Sequence, residues 1–150
     1  MSGNDPSKKP EPPSAPRVLV SDRQSEPLGE TIVRSLMALA VWTLAAERQS
    51  GMELSLSFVD PDEMAALHER YTGETGPTDV LSFPLGEDGL LGDVVVCPQV
   101  AAGNNPDRDA ELRLLVVHGI LHLLGYDHEE DGERAVMWAR QAAYSGVSAP

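Results

Sequence analysis

The segment His118-Gly-Ile-Leu-His122-Leu-Leu-Gly125-Tyr-Asp-His128 constrains the fold more than any other part of the chain. It holds three of the four histidines. His118 and His122 stand four residues apart in a run that is apolar nearly all round, from Leu112 to Leu124. That spacing predicts a helix with both imidazoles on one face, one turn apart. A helix without a polar face has to be buried, and two unpaired imidazoles buried side by side are costly. Gly125 can take the left-handed conformation that ends a helix and turns the chain back. The turn carries His128 toward the other two. Three converging imidazoles fit tetrahedral zinc at roughly 2.0–2.1 Å per Zn–N bond, with the fourth position open, as in catalytic rather than structural sites. His118, His122 and His128 are therefore the expected ligands of one zinc ion per chain.

The spacing matches the H-E-x-x-H-x-x-G-x-x-H pattern of the metzincin zinc peptidases. The glutamate that follows the first histidine there is the general base. Here the position is Gly119, which has no side chain to take a proton. Peptide hydrolysis is disfavoured unless a carboxylate arrives from elsewhere. Asp127 is the nearest candidate, and reads more simply as a partner of a ligand histidine or a turn residue. The fourth histidine, His68, stands alone on a short predicted helix and reads as a surface or packing residue.

A length of 150 residues suits one domain. The expected boundaries are a disordered, proline-rich tail over 1–16, with five prolines, and a single domain over 17–145. Strands are expected over 17–21, 53–59, 78–83 (stopped by Pro84) and 92–97. Helices are expected over 28–48, from Asp60-Pro61 to Tyr71, from Asn105-Pro106 to Leu124, and over 130–144, with Asp60 and Asn105 each as the cap before a proline at the first helical position. In the first helix, Ile32, Val33, Leu36, Leu39, Ala40 and Trp42 are expected to form the apolar face. Strands and helices are mixed without strict alternation. The fold class is α+β: a small mixed four-stranded sheet packed with about four to five helices, the zinc motif lying on a buried helix.

One cysteine, Cys97, excludes a disulfide framework and a Cys-rich metal site. The N-terminus lacks the apolar stretch of a signal peptide, and no apolar run approaches the ~20 residues needed to span a bilayer. A cytoplasmic protein with no membrane partner is expected. The net charge of −13 argues against tight, non-specific nucleic-acid binding, which leaves a basic footprint. A local patch or a bound dication can override that average at a small catalytic contact.

Three blocks together resemble the bacterial YbeY family of zinc-dependent endoribonucleases: the histidine segment, Pro77-Thr-Asp-Val-Leu-Ser-Phe-Pro84, and Leu91-Gly-Asp-Val-Val-Val-Cys97. Glu111, seven residues before His118, adds to the likeness. The resemblance covers roughly residues 53–140. The resemblance implies an α+β fold and one zinc held by His118, His122 and His128. It also implies single-strand-specific endoribonuclease activity in ribosomal RNA processing, at the 3′ end of 16S RNA, and in ribosome quality control. Single-stranded rRNA and the ribosome or its small-subunit components are the implied partners. One position departs from the family pattern. Many members carry an arginine after the tyrosine that precedes the Pro-Thr-Asp block, where this chain has Thr72 after Tyr71. A bidentate phosphate contact is lost with it. Arg70 and Arg113 are candidate substitutes, although solvated helix positions are the simpler account of both.

Metal-assisted phosphodiester cleavage needs less from the protein than peptide hydrolysis does. RNA carries its own nucleophile, the 2′-hydroxyl, and no protein side chain is assigned as general acid or base. The alternative is a non-catalytic, zinc-stabilised ribosome assembly or binding factor, which the missing base and the acidic charge favour.

Overall fold

The computed structural model describes residues 15–147. Most of the expected tail, residues 1–14, lies outside that range.

The chain runs β1 (Arg17–Asp22), α1 (Glu30–Ala46), β2 (Glu53–Phe58), α2 (Pro61–Thr72), β3 (Val80–Glu87), β4 (Leu90–Val96), α3 (Pro98–Ala101), α4 (Arg108–Leu123) and α5 (Asp131–Ser145). The four strands form one mixed sheet in the order β1-β2-β4-β3. β1, β2 and β4 are parallel, and β3 pairs antiparallel with β4. The α+β class, the four-stranded mixed sheet and a helix count of five agree with the expectation from sequence.

The sheet is covered on both faces. Leu54, Leu56, Phe58, Val94 and Val96 point into a core shared with α1 and α4. Val95 and Cys97 point the other way, against Val59 and Met64 at the start of α2. A strand buried on both faces reads as a continuous apolar run, which accounts for Val94–Cys97. α4 is apolar all round for a related reason. Leu112, Val116 and Ile120 face the sheet, while Val117 and Leu121 pack on Met137 of α5. Each such side chain, fully buried, contributes roughly 1.5–3 kcal/mol.

Three local expectations need correction. Pro84 does not stop β3, which continues to Glu87. β3 is the edge strand, where a missing N–H leaves no ladder bond unmade, and its register with β4 breaks between Pro84 and Glu87. Asn105 does not cap α4: its side chain accepts from Asp107 N–H at 2.9 Å in a turn one step earlier. Asp107 is the cap, accepting from Ala110 N–H at 3.1 Å. Trp42 is not on the apolar face of α1, since it is 53% exposed. The buried stripe is Leu36, Ala40, Thr43 and Leu44. Trp42 lies off that stripe and meets the ring of Tyr144 edge-on at 5.4 Å.

Candidate metal centre

α4 ends as the sequence suggested. Gly125 has φ +97°. Tyr126 N–H donates to Leu121 C=O and Gly125 N–H to His122 C=O, both at 3.0 Å. These are the paired bonds of a Schellman motif, which needs the left-handed residue that glycine supplies without strain. Asp127 Oδ1 then accepts from His128 N–H at 2.7 Å and shapes the turn that follows. Asp127 is thus a turn residue.

The result is a three-histidine cluster. The rings of His118 and His122 are 4.7 Å apart, those of His122 and His128 are 5.1 Å apart, and those of His118 and His128 are 5.8 Å apart, centroid to centroid. One nitrogen from each ring lies within 4.8 Å of the other two. That donor set could hold a metal ion. His68 is elsewhere, with Nδ1 2.9 Å from Gly76 C=O and Nε2 3.1 Å from Glu74, and it ties the end of α2 to the next loop. Thr72 is occupied in the same place, donating to His68 C=O at 2.6 Å. Arg113 Nε donates to Ser145 C=O at 3.3 Å.

Two side chains of α5 complete the surroundings and escape notice in the sequence. Gln141, 3% exposed, places Oε1 at 2.8 Å from His118 Nδ1. A carbonyl oxygen only accepts, so the bond puts the proton on Nδ1 and leaves the Nε2 lone pair free. Trp138, three residues earlier, lies 6.0 Å from His118 and 5.5 Å from His128 between ring centroids. The one available signal was their spacing beside Met137 on a helix following the histidine segment.

Burial lowers the pKa of His118. The approach of His128 adds to the shift, while Gln141 and Asp79 oppose it. Burial also lowers that of His122, helped by the other two histidines and opposed by Asp127. Neutral imidazole is the form that binds a metal. The environment therefore keeps two of the three rings in that form over a wider pH range.

Gly119 has a structural reason to lack a side chain. A Cβ there would meet Val94 Cγ1 at 2.6 Å and Ser82 Oγ at 3.3 Å. Ser82 Oγ donates to Gly119 C=O at 2.9 Å, binding β3 to the histidine helix. Position 119 thus faces the sheet, where a peptidase base has no room. A cleft of about 480 Å³ bounded by Gln24, Asp60, Gln99 and Arg108 shares no residue with the cluster. No helix among the described residues is long and apolar enough to cross a membrane.

Fold and site together define a small α+β protein with three histidines gathered at the end of a buried helix, of the kind that can hold one metal ion. The family model described as Endoribonuclease YbeY matches residues 20–146. The Endoribonuclease YbeY of Streptomyces griseus is 43% identical over 141 residues, covering 81% of this chain and 86% of that one. That of Thermobifida fusca is 47% identical over 122 residues, covering 71% and 79%. A Thermotoga maritima protein solved in solution superposes with a TM-score of 0.62 at 32% identity, covering 85% of this chain and 86% of its own. The chain belongs to the YbeY family.

Proposed function

We propose that this chain is a zinc-dependent endoribonuclease that cuts single-stranded RNA in ribosomal RNA processing and ribosome quality control, in the cytoplasm, with His118, His122 and His128 as the ligands of one zinc ion. The convergence of three ring nitrogens within 4.8 Å is the observation that carries it. The donor set fits zinc: neutral imidazoles, one already oriented by Gln141, with no fourth protein ligand among the described residues. Bound there, zinc supplies Lewis acidity toward a phosphoryl oxygen. The rest of the chemistry falls to groups already present. Gln141 holds His118 in the tautomer with Nε2 free. The RNA 2′-hydroxyl is a nucleophile built into the substrate, so the absence of a carboxylate at Gly119 does not prevent cleavage. Proteolysis is disfavoured, because the close approach of Val94 excludes a base from that position.

The test is cleavage of a purified single-stranded RNA. Activity is expected to vanish with a chelator, return with zinc, and be absent in His118→Ala. A zinc-loaded protein that cuts no RNA yet binds ribosomal subunits would replace the nuclease with a binding factor. Metal-dependent proteolysis lost in His122→Ala would replace it with a peptidase.

A further inference from the structure

We propose that the cleft beside His118 is a base-recognition subsite that selects an unpaired guanine next to the scissile phosphate. This deepens, and rests on, the endoribonuclease function proposed above.

The cleft measures about 230 Å³, and His118 forms part of its lining. Pockets that enclose drug-sized ligands run to roughly 300–1,000 Å³, so this one suits a single planar base. Val80 and Leu114 supply apolar surface, Trp138 supplies an aromatic ring, and Asp79 and Glu111 supply carboxylates. Unpaired bases are held in this way, by stacking on aromatic rings and by hydrogen bonds to their Watson–Crick edges.

The polar groups are held in place from behind. Asn104 Nδ2 donates to Glu111 Oε2 at 3.0 Å and to Asp79 Oδ2 at 3.1 Å. One amide thus positions both carboxylates. Glu111 is only 6% exposed. Its Oε1 meets no donor among the described residues. Yet no buried side-chain polar atom among them lacks a partner. Oε1 is therefore not sealed in, and Glu111 lines the cleft.

Carboxylates offer acceptors only. Guanine presents two adjacent donors, N1–H and the N2 amino group, which match the two acceptors of a carboxylate edge. Adenine and cytosine present one amino group beside a ring-nitrogen acceptor, which would face a carboxylate oxygen. Uracil presents one N–H between two carbonyls. Juxtaposed acceptors discriminate against these three by repulsion. The same carboxylates repel phosphate, so the base enters the cleft while the backbone stays at the histidines. Guanine's Watson–Crick edge is free only when unpaired, which ties the pocket to single strands.

The test replaces one guanosine by inosine, which keeps N1–H and lacks the amino group. Cleavage beside inosine is expected to be about 10-fold slower in kcat/KM, the effect of one lost hydrogen bond to a charged acceptor. Glu111→Gln is expected to bring the ratio close to one, because an amide both donates and accepts; thermal unfolding and metal content check its integrity. Equal rates beside guanosine and inosine in the unmodified protein overturn the pocket while leaving the nuclease. A second arm needs no cleavage: guanosine and inosine are titrated onto the zinc-loaded protein, and the Trp138 indole N–H resonance is followed. Selective guanosine binding without any RNA cleavage overturns the nuclease and keeps the pocket, whereas equal binding overturns the pocket.

Discussion

Tyr126 donates its hydroxyl to Glu47 Oε1 at 2.6 Å, joining residues 79 positions apart. Glu47 Oε2 takes two more donors from α5: the hydroxyl of Tyr144, and Arg140 Nη1 at 2.8 Å. This carboxylate, at the end of α1, therefore pins Tyr126 in the loop between Gly125 and His128 to α1 and α5. Tyr126→Phe removes one of the three donors. The expected loss is about 1.5–3 kcal/mol, the range for hydrogen bonds to charged groups. The midpoint of thermal unfolding should fall by several degrees. Under the proposed ligand assignment, zinc affinity should fall as well, because the loop that carries His128 is freer. A variant with unchanged zinc affinity would show that the loop is held by the helix ends alone.

Acid should destabilise the metal-free protein in two stages. Burial holds His118 and His122 below the ordinary histidine value of 6.5. Below that pH the unfolded chain takes up protons that the folded one resists. Stability therefore falls as pH drops from about 6.5 through the folded pKa values. Glu47 behaves as a depressed carboxylate. Burial raises its pKa, but the hydroxyls of Tyr126 and Tyr144 and the charge of Arg140 outweigh it and leave a net lowering. Its contribution is present above about 4.5 and is lost as pH falls through its folded value. Urea unfolding of chelator-treated protein between pH 8 and 3 reads both stages, and Glu47→Gln should flatten the lower one. Constant stability from pH 7 to 5 would contradict the assignment of the histidine stage.

Gly119→Ala tests why the helix carries glycine where a peptidase has glutamate. Alanine improves helix propensity by about 1 kcal/mol. Its Cβ would stand 2.6 Å from Val94 Cγ1, on a central strand buried on both faces. Overpacking typically costs about 1–3 kcal/mol, and a short branched side chain in a sealed core has little room to move. We expect net destabilisation in thermal unfolding, and a larger one for Gly119→Glu. Equal or higher stability in Gly119→Ala would mean that α4 can slide away from the sheet.

Local periodicity made much of this fold legible. The alternation in 53–59, the helical spacing of His118 and His122, and the glycine stop at Gly125 each depend on a few neighbouring residues. Misreadings arose where a distant partner decides. Pro84 is tolerated because β3 has no neighbour on its outer side, a fact of topology. Trp42 lies off the buried stripe because α1 is rotated to bury Thr43, whose hydroxyl bonds Leu39 C=O at 2.8 Å. Asn105 and Asp107 are both good caps, and only the start of α4 distinguishes them. Within the site, the gathering of three histidines followed from spacing and one turn. Gln141 and Trp138 could not be read, since both reach the histidines from α5, and Glu47 meets the Tyr126 loop from the end of α1.

Gln141 is the most direct probe of how the protein prepares the histidines. Its Oε1 accepts from His118 Nδ1 at 2.8 Å from a position 3% exposed. Leucine there would keep the volume and remove the acceptor. The His118 ring would then be free to change tautomer or rotate, and its basicity at Nε2 would fall. Outer partners of ligating histidines typically contribute 10–100-fold in metal affinity. Under the proposed ligand assignment, Gln141→Leu should weaken zinc binding by about that factor, measured by competition with a chelator of known affinity. Gln141→Glu should retain the affinity or raise it, because a carboxylate accepts the same proton more strongly. A purely packing role predicts the reverse order, with leucine tolerated and glutamate damaging. The two variants together therefore separate a residue that orients the ligand from one that only fills space. If both bind zinc as the unmodified protein does, His118 is held by α4 alone.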